Sequence, residues 1–187
     1  MTLRVLVGCE FSGIVRDAFL AAGHDAVSCD LLDTETPGPH IKGSVLDHLD
    51  DGWDLAIFHP PCTRLTVAGA RWFKGLEDEQ REAIAFCEAL WNCGILRIAI
   101  ENPIGVLSTR SSLGKPTQII QPWMFGHGET KATCLWLKNL PALVPANVVE
   151  GRANRVHREP PGPERWKNRS RTYRGIARAM AEQWSSL

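Results

Sequence analysis

Three groups that could carry out chemistry each follow a short apolar run of the sequence. The first is a glycine-containing turn at residues 8–13, and the third is a carboxyl group, Glu101. The second is Cys62, which comes directly after Pro60 and Pro61. Two prolines stiffen the chain and hold the thiol at the end of its apolar run. A cysteine in this position is a candidate nucleophile, and a carboxyl group beside a buried strand is a candidate acid.

Each of these groups also has an ordinary structural explanation. Glycine is common in turns that need a positive φ, and a lone cysteine usually packs as a small hydrophobic residue. Glu101 could form an ion pair or cap a helix; if it is buried without a partner, its pKa is raised and it can donate a proton at neutral pH. The presence of all three groups in one chain favours the functional explanation.

The elements that must position these groups are alternating strands and helices. Strands are predicted at residues 3–8, 24–30, 54–58, 96–100 and 134–137, helices at 14–22, 77–93 and 172–184, and loops at 33–42, 141–145 and 160–163. This order predicts an α/β fold, a doubly wound parallel sheet with helices on both faces. In such sheets, ligands bind beyond the carboxyl ends of the strands.

The first turn favours a nucleoside cofactor. Asp30 ends the second predicted strand and could accept hydrogen bonds from ribose hydroxyls. The turn lacks the G-x-G-x-x-G pattern, so NAD is disfavoured.

Composition excludes several classes of protein. The chain has 187 residues, of which 44% are hydrophobic and 22% are charged, as in ordinary globular domains. No apolar run approaches the roughly 20 residues that span a bilayer, and the start lacks a signal sequence, so we expect a cytoplasmic protein with no membrane partner. The six cysteines have no C-x-x-C spacing. We therefore expect free thiols and no metal site.

The charge is concentrated at one end. Residues 151–187 hold nine basic and three acidic residues, although the whole chain is neutral. This segment, with Trp166 and Tyr173 among its arginines, could bind the phosphates of DNA, or it could be a solvated surface that pairs with the acidic remainder.

The chain order of three motifs resembles the DNA (cytosine-5)-methyltransferase family. These motifs are residues 11–13 (Phe-Ser-Gly), residues 60–62 (Pro-Pro-Cys) and residues 101–103 (Glu-Asn-Pro), and residues 125–133 resemble a further family segment. The resemblance is to the short phage- or prophage-type members, without a large target-recognition domain. It implies a Rossmann-like S-adenosylmethionine-dependent methyltransferase sheet in residues 1–150. Residues 151–187 would then form a basic extension that ends in a helix and packs on the same domain.

The resemblance also implies roles for individual residues. Cys62 would add to C6 of cytosine, Glu101 would protonate or hydrogen-bond N3, and Lys131 would supply a charge at an arginine position of the family. The implied S-adenosylmethionine-binding residues are Phe11, Ser12, Gly13, Asp30, Leu31, Ser44, Val45 and Pro60. Among these, Asp30 would contact the ribose and Pro60 would lie near the adenine.

Three functions remain open at this point. The protein methylates cytosine C5 in DNA, it methylates a free cytidine nucleotide, or it is an inactive methyltransferase-fold protein that binds nucleic acid. Cys62 and Glu101 together favour the first two, and the basic segment favours DNA. The sequence does not determine the oligomeric state.

Overall fold

A single mixed sheet forms the centre of the protein. The computed structural model describes residues 1–67 and 74–185. The strands are β1 (Arg4–Gly8), β2 (Asp25–Asp30), β3 (His40–Lys42), β4 (Leu55–Phe58), β5 (Arg97–Pro103), β6 (Gln118–Ile120) and β7 (Thr133–Lys138). The helices are α1 (Ile14–Ala21), α2 (Glu77–Trp91), α3 (Leu107–Arg110), α4 (Arg155–Arg158), α5 (Arg165–Ser170) and α6 (Arg174–Trp184). The strand order across the sheet is β3-β2-β1-β4-β5-β7-β6.

The topology determines where a ligand can bind. Strands β1 to β5 are parallel, whereas β7 runs antiparallel to both β5 and β6. Strands β2 and β3 lie on one side of β1 in the sheet, and β4, which follows them in the sequence, lies on the other side of β1. The helices that follow β1 and β4 therefore lie on opposite faces and leave a crevice at the carboxyl ends of these two strands.

Two apolar layers cover the sheet. Side chains alternate between the faces of each strand, so Val5 and Val7 belong to one layer and Leu6 to the other. The first layer is completed by α1 and α6, and the second by α2. The predicted α/β fold with helices on both faces is therefore confirmed.

The strands differ from the prediction in several places, and the short strand β6 was not predicted at all. The predicted loop at 33–42 contains the short strand β3, which pairs with β2 through only three residues. The antiparallel placement of β7 was not predicted, because hydrophobic runs carry no information on strand direction. Strand β5 continues to Pro103, since β7 pairs with it along Glu101, Asn102 and Pro103. Glu101 therefore lies within the strand rather than beyond its end.

The C-terminal helix belongs to the same core. Ile176, Met180 and Trp184 of α6 are buried against α1 and the sheet. The helix begins at Arg174, two residues later than predicted. The division into residues 1–150 and 151–187 stays a prediction. Among the described residues, no helix is both long enough and apolar enough to cross a membrane.

Candidate active site

Two contacts join the exit of β4 to the end of β5. The register pairs Phe58 with Ile100, so the next two residues of each strand also come side by side. At the first position, His59 Nδ1 lies 2.8 Å from Glu101 Oε2. At the second, Asn102 Nδ2 donates a hydrogen bond of 2.8 Å to the carbonyl of Pro60. These contacts hold the chain segment that carries Cys62.

The neighbours of Glu101 favour its ionised form. The carboxyl group is buried, and burial by itself raises its pKa. The hydrogen bond from His59 and the charge of Lys131 outweigh this effect and lower the pKa of Glu101 below its usual value. Of the two possibilities that the sequence left open, the structure shows the paired carboxylate and not the unpartnered acid with a raised pKa. In this state Glu101 is a carboxylate that accepts hydrogen bonds.

Cys62 is partly exposed beside this pair. Burial and the charge of Glu101 raise the pKa of its thiol, while Lys131 and Arg169 act in the opposite direction. The structure thus brings Cys62, Glu101 and Lys131 close enough for their charges to interact. At neutral pH the thiol form of Cys62 predominates.

Residues just before α6 close the space beside Glu101. A cavity of only about 10 Å³ remains there, lined by Glu101, Lys131, Thr133, Thr172, Tyr173 and Ile176. Such a volume holds one water molecule at most. Lys131 Nζ donates a hydrogen bond of 3.3 Å to the carbonyl of Arg171, which fixes the segment over the cavity. Residues 171–173 therefore leave little room beside Glu101 in this structure.

A second cavity adjoins the first and is much larger. It measures about 280 Å³, shares Thr172 and Tyr173 with the small cavity, and is otherwise lined by Glu129, Arg155, Val156, Glu159, Asn168 and Arg171. Its lining carries both charge signs, and Arg155 forms an ion pair of 3.4 Å with Glu129.

The turn between β1 and α1 is held by internal hydrogen bonds. The carboxylate of Glu10 accepts hydrogen bonds from the backbone N–H groups of Val15 and Arg16 and from the hydroxyl of Ser12. Glu10 thereby satisfies donors at the start of α1, where no other intrahelical partner exists. Phe11 and Ser12 are both buried.

A loop from residues 33–37 packs onto this turn. Gly13 has a φ of 74°, and a side chain there would clash with Thr36 and Arg16. The backbone N–H of Glu35 donates a hydrogen bond of 2.8 Å to the carbonyl of Phe11. Thr36 Oγ1 donates to the carbonyl of Ser12. The three predicted cofactor-binding residues 11–13 therefore contact protein groups in this structure.

The other predicted cofactor-binding residues lie around the end of β2. Asp30 is half-buried, and Leu31 exposes 73% of its surface. Burial raises the pKa of Asp30. A hydrogen bond from the Leu32 N–H group and the charges of His40 and His59 lower the pKa, but their effect is smaller. Among the described residues, no lysine or arginine forms an ion pair with Asp30.

The remaining residues of the predicted cofactor set have structural contacts. Ser44 caps a 3₁₀ turn at Val45–His48 by accepting a hydrogen bond from the Leu46 N–H group. Val45 is buried beside Gly8. Pro60 is buried.

The basic segment lies across this edge of the sheet. The Trp166 ring of α5 contacts Phe11, with centroids 5.7 Å apart. Arg171 donates hydrogen bonds of 2.5 and 2.7 Å to both carboxylate oxygens of Glu35. Arg169 is near enough to Cys62 to affect its pKa.

Sequence reasoning missed two residues of this region. His59 was not predicted, although its place beside Pro60 and Cys62 was a signal that could have identified it. Arg16 is fully buried and hydrogen-bonds to Ser28, Thr34 and Thr36. No sequence pattern marks Arg16, because its partners come from β2 and a loop. In the part of the chain that the structure describes, no cluster of His, Cys, Asp or Glu could hold a metal ion.

Comparison with solved structures identifies the fold. An Escherichia coli prophage protein assigned as a DNA modification methyltransferase superposes with a TM-score of 0.53 at 14% sequence identity, over 79% of this chain. The Entamoeba histolytica methyltransferase EhMeth superposes with a TM-score of 0.52, also at 14% identity, over 80% of this chain. No protein-family model matches the chain, and no curated protein sequence matches it either.

These similarities assign the chain to the methyltransferase fold. The sequence resemblance to methyltransferases is therefore confirmed at the level of the fold. The chain spans about half the length of both solved structures, since the matches cover 52% and 58% of them.

Proposed function

We propose that this chain is an S-adenosylmethionine-dependent methyltransferase that modifies C5 of cytosine in DNA, with Cys62 as the covalent nucleophile. The observation that carries this proposal is the convergence of Cys62, Glu101 and Lys131 in a methyltransferase fold, at the carboxyl edge of β4 and β5. A thiol, a carboxylate and an ammonium group are what nucleophilic attack on a polarised ring requires.

The chain's own groups account for the protein side of the reaction. Cytosine C5 becomes nucleophilic when the Cys62 thiolate forms a bond to C6 and the ring electrons shift toward N3. Burial and Glu101 raise the pKa of the thiol, and the charge of Lys131 opposes this rise and so favours the thiolate. Glu101 accepts a hydrogen bond from the exocyclic amino group, which uracil lacks. When the base displaces water, the pKa of Glu101 rises, and the acid can then protonate N3.

Several residues fit the methyl donor. S-adenosylmethionine, when bound, supplies an electrophilic methyl group. Asp30 has no ion-pair partner among the described residues and offers carboxylate oxygens to ribose hydroxyls. Leu31 exposes an apolar side chain next to it, suited to covering an adenine ring.

The final step breaks the Cys62–C6 bond as the C5 proton leaves to solvent, which restores the thiolate.

DNA is the preferred substrate because of the charges next to the site. Among the described residues, Arg158, Arg165, Arg169 and Arg174 form no ion pair, and Arg169 lies near Cys62. An unpaired cation beside Cys62, with further unpaired arginines in the same segment, suits a phosphate backbone. A base within a duplex must be flipped out to reach Cys62, which also requires residues 171–173 to move.

The experiment compares substrates directly. The purified protein is incubated with methyl-labelled S-adenosylmethionine and either duplex DNA or dCMP, and the label in each is counted. We expect transfer to DNA and none in Cys62→Ser, whose hydroxyl is a far weaker nucleophile. Cys93→Ser is the matched control, since Cys93 is also partly exposed. Transfer to dCMP alone would show that the substrate is a free nucleotide and not DNA. Full activity of Cys62→Ser would refute the covalent mechanism.

A further inference from the structure

His59 makes a contact that the proposed reaction does not yet use. Its ring and the Glu101 carboxylate are each about nine-tenths buried, with side chains that are 10% exposed. The Nδ1 atom contacts Glu101 Oε2. The opposite nitrogen, Nε2, is buried and has no hydrogen-bond partner among the described residues.

The hydrogen-bond pattern leaves one carboxylate oxygen available. A carboxylate only accepts hydrogen bonds, so Nδ1 must carry the proton in this contact. Glu101 Oε1 accepts no hydrogen bond from residues 1–67 or 74–185. We propose that His59 is a positioning residue for Glu101: it occupies Oε2, fixes the direction of the carboxylate and leaves Oε1 free to face the substrate. The identity of that substrate rests on the proposed function.

The backbone makes this arrangement rigid. The N–H group of His59 donates a hydrogen bond of 2.9 Å to the carbonyl of Gly8, which extends the pairing of β1 with β4 by one residue. On the other side, the bond between Asn102 and the Pro60 carbonyl fixes the next residue. His59 is thus held from two neighbouring strands, and its ring direction follows from the sheet. A catalytic group oriented by a third residue in this way is a recurrent arrangement in active sites.

The ionisation of Glu101 affects the reactivity of neighbouring groups, which can be measured. The titratable and charged groups that face the pair are Asp30 at the end of β2, Cys62 after β4, Lys131 just before β7 and Cys134 within β7. Arg169 of α5 acts on Cys62. The negative charge of Glu101 raises the pKa of the Cys62 thiol. The rate at which iodoacetamide alkylates Cys62 therefore reports whether Glu101 is ionised.

The test measures alkylation of Cys62 between pH 6 and pH 9, by mass spectrometry of its peptide. In His59→Leu, Glu101 stays buried but loses its donor, so it takes up a proton at higher pH and Cys62 loses a neighbouring negative charge. We expect the rate at pH 7 to rise on the order of threefold to tenfold. His59→Asn keeps an N–H group at the place of Nδ1 and should stay within about twofold of the unmodified protein.

A double variant separates this role from a general structural one. In the background of Glu101→Gln there is no charge for His59 to control, so adding His59→Leu should leave alkylation unchanged. The inference is overturned if His59→Leu has no effect alone, or if it has the same effect in both backgrounds. Alkylation of buried Cys87 monitors loss of the fold in every variant.

The same variants distinguish this inference from the proposed function. Alkylation needs neither DNA nor cofactor, so it decides the role of His59 even if the unmodified protein transfers no methyl group. With methyl transfer present, His59→Leu should lower kcat about tenfold or more, while the KM for S-adenosylmethionine stays unchanged. His59→Asn should retain most of the activity.

Discussion

The indole ring of Trp166 lies against the ring of Phe11, at a centroid distance of 5.7 Å and an angle of 58°. This contact joins α5 to the turn that follows β1, across 155 positions of sequence. Phe11 keeps only 7% of its surface exposed as a result of this and neighbouring contacts, whereas Trp166 is 53% exposed. Among the described residues, α5 and Arg171 are joined to the rest of the chain by this aromatic pair, the ion pair of Arg171 with Glu35 and a few hydrogen bonds. Such a segment can open without unfolding the core.

Loss of the Trp166 ring should release α5. Trp166→Ala removes an aromatic pair of about 0.5–1.5 kcal/mol, so the segment opens more often. Trypsin, which cleaves after Arg165, Lys167 and Arg169, should cut the variant severalfold faster in this segment. Trp166→Phe keeps a ring at the contact and should resemble the unmodified protein. Equal cleavage rates in all three would show that the contact does not hold the segment.

Unpaired arginines of the basic segment should determine the salt dependence of DNA binding. Arg169→Ala should reduce the slope of log affinity against log salt by about 0.9, provided that Arg169 neutralises one phosphate. Arg178, which pairs with Glu182 on α6, is the matched control, and Arg178→Ala should leave the slope nearly unchanged. The measurement is fluorescence anisotropy with a short labelled duplex at several salt concentrations. An unchanged slope for Arg169→Ala would mean that this arginine is only solvated surface.

Binding of S-adenosylmethionine should weaken as the pH falls. Burial raises the pKa of Asp30, so this group takes up its proton at a higher pH than an ordinary aspartate. Only the carboxylate accepts two ribose hydroxyls well. Asp30→Asn should weaken binding at pH 7 by about tenfold to a hundredfold and show little dependence on pH.

Calorimetric titration with the cofactor and its demethylated product measures this affinity. Asp33→Asn is the control, because Asp33 lies only three positions after Asp30 but is exposed and pairs with Lys42. Tight binding of the cofactor by Asp30→Asn would show that Asp30 does not contact the cofactor.

The sequence predicted the elements of the fold better than their pairing. The strands at 4–8, 25–30 and 55–58 are marked by apolar runs between turn residues, so their existence was predicted, and each was predicted to begin one residue too early. The three-residue strands β3 and β6 lack such a run, since each is only an edge of the sheet. Strand direction in β7 depends on tertiary pairing with β5 and β6, which no local pattern records.

The same limit applies to the candidate site. Cys62 and Glu101 each follow an apolar run that predicts a buried strand. Because parallel strands have their carboxyl ends at the same edge of the sheet, the sequence predicted that these two side chains would lie close together. The direction of the Glu101 pKa could not be predicted, since the partner that lowers it, His59, becomes a neighbour only through the register of β4 and β5. Arg16 was missed for a related reason: its hydrogen bonds join residues 12 to 20 positions apart.

Covalent addition by Cys62 should accelerate as the pH rises. Burial and Glu101 raise the pKa of the thiol, so the thiolate fraction is small at pH 7 and grows through the alkaline range. In the presence of S-adenosylmethionine, DNA that carries 5-fluorocytosine traps the adduct after methyl transfer, because fluorine cannot leave C5 as the proton does. We expect the trapping rate to increase about tenfold per pH unit below the thiol pKa. A flat profile, or an adduct on another cysteine, would contradict the assignment of Cys62.

The buried Arg16 should be the most sensitive single residue of the turn and loop that cover the predicted cofactor site. Its guanidinium is fully buried, pairs with Asp17 and hydrogen-bonds to Ser28, Thr34 and Thr36. Arg16→Met keeps much of the volume but leaves these acceptors unpaired, so the free energy of unfolding should fall by about 3 kcal/mol. Arg81→Met is the control, since Arg81 is exposed and its ion pair with Asp78 should contribute less than about 0.5 kcal/mol. Urea denaturation measures both values; a loss below about 1 kcal/mol in Arg16→Met would show that water replaces the arginine without cost.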